Sequence, residues 1–177
     1  MMSLAKIELF KLLRQKRTLY GVGVIFAIEL FIVAGAYVQG KDILELLLEN
    51  LSKNFVLEGN LMNGNLVMYL VLNSLWFNFP LIMMILVSGI LTNEYKDGTI
   101  QTIFLQAVSK CQFILGKFTT AIVFSILVSL FVLVTSLLMA YSIFGNGDLI
   151  TYLAGLNFFP PEQALHRILV GFASGIL

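Results

Sequence analysis

An all-α, polytopic membrane fold follows from three features of this chain. It is 59% hydrophobic with a mean hydropathy of +0.93, it contains three separate apolar runs long enough to cross a bilayer, and only one charged residue interrupts those runs. The runs are residues 19–39, 66–92 and 118–144. Each exceeds the ~20 helical residues, at about 1.5 Å of rise apiece, that cover ~30 Å of hydrocarbon. A fourth apolar run, 164–177, is too short for a span, so the architecture expected is a helical bundle of three complete spans plus the start of a fourth in one transmembrane domain, 1–177. A helix ending bare in lipid would leave its last carbonyls unsatisfied, so the chain reads as the N-terminal portion of a longer protein, with a natural terminus on a re-entrant or interfacial helix as the alternative.

Residues 1–18 form a basic interfacial helix on this reading. Ile7, Phe10 and Leu13 recur every three residues, while Lys6, Arg14 and Arg17 interrupt the same face. Long basic stems can lie along the bilayer surface with their heads among anionic headgroups. Ala34-Gly35-Ala36 resembles a secretory cleavage site, but two more spans follow, and the start fits an uncleaved anchor better.

Glu29 stands near the middle of the first span, where an ionised carboxylate costs roughly 2.5–3.5 kcal/mol on insertion scales. It therefore faces protein or water, or is neutral. It could line a substrate path or hydrogen-bond to a neighbouring helix, with Asn73, Asn78, Ser125, Ser129, Thr135 and Ser136 as candidate partners. Ser125 and Ser129, one turn apart, suit a helix–helix contact. After the first span, Glu45 and Glu49 lie one turn apart with Ile43, Leu44, Leu47 and Leu51 on the other arc, the pattern of a surface amphipathic helix. Asn60, Asn63, Gly64 and Asn65 supply a turn back to the membrane. Asn50-Leu51-Ser52 fits the glycosylation triplet, a three-residue match of little weight. Pro80 removes a backbone donor midway along the second span, and Trp76, Phe77 and Phe79 beside it read as packing residues.

Charge orients the bundle. Lys6, Lys11, Arg14, Lys16 and Arg17 precede span one, and Lys96, Lys110 and Lys117 lie between spans two and three, so eight of the 11 basic residues share one side. The other side holds Lys41, Lys53 and Arg167 among six acidic residues. The positive-inside rule then gives a cytoplasmic N-terminus. The net charge of +1 gives no reason to expect a nucleic-acid partner.

The cytoplasmic segment 93–117 carries the most specific pattern. Glu94 leads to a turn at Gly98-Thr99, a short helix bearing Ile100, Ile103 and Phe104, a polar break at Ser109-Lys110, and an apolar re-entry ending at Gly116-Lys117. This segment resembles the ABC-2 family of ABC-transporter permeases. Glu94, Gly98, Thr99, Thr102, Val108, Ser109, Gly116 and Lys117 match the family's pattern without a gap, whereas Ala107 stands for its proline and Lys110 for its arginine. Lys110 keeps the charge but loses the planar donor fork.

The resemblance implies a six-span exporter subunit whose 93–117 segment couples to a separate ABC ATPase through Glu94, Gly98, Thr99, Ile100, Ile103, Phe104, Ser109 and Lys110. It further implies a second permease subunit, in a homo- or heterodimer, a bacterial or archaeal cell membrane, and an amphiphilic or peptide-like substrate. A non-transporting membrane interaction or immunity-type module is the alternative.

No catalytic chemistry is legible. Gly116-Lys117 is followed by Phe118 and lacks the earlier glycine of a phosphate-binding loop, so ATP would be bound by the partner and this chain would carry no cofactor. One histidine, His166, and one cysteine, Cys111, form neither a metal cluster nor a nucleophilic set, and a lone cysteine excludes an intramolecular disulfide. The segment 145–167, with Gly145, Gly147, Gly155 and Phe158-Phe159-Pro160-Pro161, reads as an interfacial return loop into the fourth run, with a proline near the helix start.

Overall fold

A computed structural model describes residues 2–52, 62–96, 98, 110–147, 149–152 and 156–176. Its helices are α1 (Met2–Leu13), α2 (Lys16–Ser52), α3 (Gly64–Lys96), α4 (Lys110–Phe144) and α5 (Pro161–Ile176), with a two-stranded antiparallel hairpin, β1 (Leu149–Tyr152) and β2 (Leu156–Phe159), before α5. Three stretches are long and apolar enough to cross a membrane: Lys16–Gly40, Gly64–Ile90 and Cys111–Phe144. This is a helical membrane protein.

Three boundaries differ from the sequence reading. The interfacial helix stops at Leu13 rather than near residue 18, and Lys16 already begins α2. The amphipathic segment after span one is not separate, because α2 runs unbroken to Ser52. Nothing in Asp42–Ser52 breaks a helix: it holds no proline or glycine and is rich in leucine and glutamate, which favour one. The segment 145–167 holds a hairpin where a loop is expected. Its strands pair Leu149 with Phe159, Ile150 with Phe158, Thr151 with Asn157 and Tyr152 with Leu156. Isoleucine, threonine, tyrosine and phenylalanine are good strand formers. Pro161 opens α5, where a missing N–H is harmless. Helix α3 continues through Pro80.

The chain divides into two compact units. The first comprises Met1–Ile25 and Phe77–Phe131, with α1, the start of α2, the later half of α3 and the first half of α4. Leu12, Ile25, Met83, Leu86, Ile90, Phe113, Phe124 and Val128 are buried there. The second comprises Phe26–Trp76 and Val132–Leu177. Val33, Met68, Val71, Leu72, Leu75, Val132 and Ala140 are buried in it, as is the stripe Ala164, Ile168 and Phe172 at one-turn spacing along α5.

Candidate functional site

The sequence-predicted intramembrane polar residues separate. Glu29 is fully buried, and its Oε2 accepts a hydrogen bond of 2.7 Å from the Thr135 hydroxyl of α4. Of the candidate partners, Thr135 is therefore the one the structure joins to it. Glu29 Oε1 is buried with no hydrogen-bond partner among the described residues. Asn73 and Asn78 both lie on the exposed arc of α3, which also carries Trp76, Phe77 and Met84. Ser125 and Ser136 turn back onto their own helix, donating to the Ala121 and Leu133 carbonyls, while the Ser129 hydroxyl is buried with no hydrogen-bond partner among the described residues.

Of the coupling candidates, Glu94 belongs to the last turns of α3 and Lys110 is the first residue of α4. Gly98 adopts φ 67°, the left-handed region where a Cβ is disfavoured, which explains glycine at that turn. Thr99, Ile100, Ile103, Phe104 and Ser109 lie outside the described residues.

The roots of α3 and α4, on either side of that segment, hold a polar arrangement centred on Lys117. This lysine is only 4% exposed. Its Nζ donates to Glu8 Oε2 of α1 at 3.3 Å and to the Ile90 carbonyl of α3 at 3.1 Å, and lies 4.9 Å from the Phe113 ring centroid. A buried ammonium needs such partners to offset its lost hydration. Farther back along α3, Arg17 Nη2 donates to the Leu86 carbonyl at 2.7 Å. Gly89 makes that approach possible, since a Cβ there would sit 1.7 Å from the same nitrogen. Two cations thus bind carbonyls one turn apart along α3.

A second polar cluster joins the start of α3 to the end of α4. Asn63 caps α3, its side-chain oxygen accepting from the Leu66 N–H at 3.0 Å. Gly64 N–H donates to the Gly145 carbonyl at 2.8 Å, and Asn65 donates to the Gly147 carbonyl at 2.7 Å while accepting from the Tyr141 hydroxyl. Gly145, at φ 70°, ends α4 with a left-handed cap. Asn63 and Asn65 are both buried. Sequence reasoning takes this stretch as a plain turn and misses both Glu8 and the clasp. The available signal for the clasp is the pairing of an Asn-Gly-Asn run before one span with a Gly-Asn-Gly run after another.

Nothing in these arrangements sets a nucleophile beside a base, and no group of metal-ligating side chains occurs among the described residues. A family model described as ABC-2 family transporter protein matches residues 4–159. The chain belongs to the ABC-2 transporter family. Membership in a transporter family agrees with the three helices long and apolar enough to cross a membrane. It is also similar to the uncharacterized protein YhcI of Bacillus subtilis (strain 168), 32% identical over 63 residues, covering 36% of this chain and 20% of that protein. The match therefore spans about a fifth of the relative's length. No solved structure matches the chain.

Proposed function

We propose that this chain is the membrane permease subunit of an ATP-driven ABC exporter, with an amphiphilic or peptide-like substrate. The observation that carries the reading is the family match over residues 4–159, which takes in the complete Glu94-to-Lys117 segment. In this reading the N-terminus and that segment face the cytoplasm of a bacterial or archaeal cell, and Ile100, Ile103 and Phe104 fill a groove on a separate ABC ATPase. ATP is bound by that partner.

Asn73 supports a second permease subunit in the complex. A side-chain amide on the exposed arc of a span is costly against lipid and is compensated by a polar partner or water. The deciding experiment is crosslinking from a cysteine at Gln101 or Gln106 to a co-expressed ABC ATPase, in a background lacking Cys111. A crosslink from either position supports the reading. Failure at both, with hydrolysis and export unchanged in Phe104→Asp at normal membrane abundance, overturns it.

A further inference from the structure

We propose that Lys117 is a positioning residue that fastens α1 to the roots of α3 and α4, so that α1 travels as one body with the two helices flanking residues 97–109. Three elements converge on one ammonium group. Glu8 supplies a carboxylate from α1, Ile90 supplies a carbonyl from α3, and Lys117 itself, with the ring of Phe113, belongs to α4. An interfacial helix held only by the bilayer needs no buried ion pair, and its one acidic residue would face water with the rest of its charges. Here Glu8 turns inward, with 17% of its side chain exposed, while the basic residues Lys6, Lys11 and Arg14 of the same segment are exposed. Leu12, one turn from Glu8 on the same face, is buried as well, so the contact fixes the roll of α1 as well as its position.

The short link between α1 and α2 makes the clamp consequential. Arg14 N–H still bonds to the Phe10 carbonyl, and Gln15 N–H to Leu12, leaving no slack chain before α2 begins at Lys16. Arg17 then binds the Leu86 carbonyl. The N-terminal segment is thus fixed to α3 through Arg17 and to both α3 and α4 through Lys117, and a displacement of those roots must carry α1 with it. The movement of α1 in a transport cycle rests on the permease reading; the clamp does not.

The test uses the full chain in lipid nanodiscs, with Cys111→Ser and spin labels on Lys11→Cys in α1 and Lys96→Cys at the end of α3. The expected result is one narrow distance distribution in the otherwise unchanged protein. Glu8→Lys, which sets a second cation beside Lys117, should lose that narrow peak. Glu8→Lys combined with Lys117→Glu should restore it, because the reversed pair re-forms even though the Ile90 carbonyl loses its side-chain donor. An unchanged distribution in Glu8→Lys, or no restoration in the double variant at normal membrane abundance, overturns the clamp.

A second arm adds the co-expressed ABC ATPase and ATP. The distance should stay constant while Glu8 and Lys117 are intact, and an ATP-dependent change in that protein overturns the one-body motion. If no ATPase associates at all, the permease reading falls, and the first arm still decides the clamp.

Discussion

Glu29 shows how a single residue can be costly by type and tolerable by placement. A buried carboxyl in a span has to find a donor, and Thr135, 2.7 Å away on α4, supplies one. Glu29→Gln keeps a carbonyl oxygen able to accept the same hydroxyl proton, so the variant should insert and elute from size exclusion much as the parent does. Glu29→Lys places an amine at mid-span, costing roughly 2.5–3.5 kcal/mol on insertion scales, and turns an acceptor into a donor beside a hydroxyl. Its membrane abundance should fall severalfold. Equal abundance and equal elution of both variants would mean that the Thr135 contact contributes nothing to assembly. Lys117 obeys the same physics with the sign reversed, and its partner Glu8 is the acidic residue of α1, which a reading by basic charge and apolar spacing passes over.

At the scale of elements, the clasp between the start of α3 and the end of α4 is the most constrained feature. A Cβ on Gly64 would stand 2.5 Å from the Gly145 carbonyl oxygen and 3.2 Å from that of Ala140, and backbone cannot yield as a flexible side chain does. Gly64→Ala should therefore cost about 1–3 kcal/mol through overpacking, and Asn63→Ala about 0.5–2 kcal/mol through loss of the cap. Both should lower the thermal midpoint followed by fluorescence-detected size exclusion, with Gly23→Ala, where a Cβ meets nothing within 4 Å, as the control. A Gly64→Ala midpoint equal to that of the control would show that the clasp is not rigid.

These elements also show what hydropathy conveys. The three spans were legible because lipid demands long apolar helices, and the bilayer imposes that demand on every spanning segment alike. The end of α1, the unbroken course of α2 and the hairpin were not. A helix boundary depends on local capping, and a four-residue strand such as Leu149–Tyr152 carries too few residues to show a period. The Glu29–Thr135 contact was legible only as one of six possibilities, because sequence places polar residues on helices without saying which faces meet.

For the whole molecule, helix length sets what reaches past the membrane. Helix α2 has 37 residues, α3 has 33 and α4 has 35. At about 1.5 Å per residue each is ~50 Å long or more, against ~30 Å of hydrocarbon, so each must project well beyond it. The apolar part of α2 ends at Gly40, and the helix goes on through Asp42–Ser52. The apolar part of α3 ends at Ile90, and the helix goes on to Lys96, with Lys110 opening α4.

Which side is which rests on charge: eight of 11 basic residues belong to the N-terminal segment and to 93–117, so those should be cytoplasmic. Single cysteines at Lys16 and Asp97, in a Cys111→Ser background, should react with an impermeant maleimide only after the membrane is opened, whereas one at Glu49 should react in intact cells. Labelling of Asp97 from outside would invert the topology. It would also remove the permease reading with it, because a segment on the outer face cannot meet an ATPase that draws on cytoplasmic ATP.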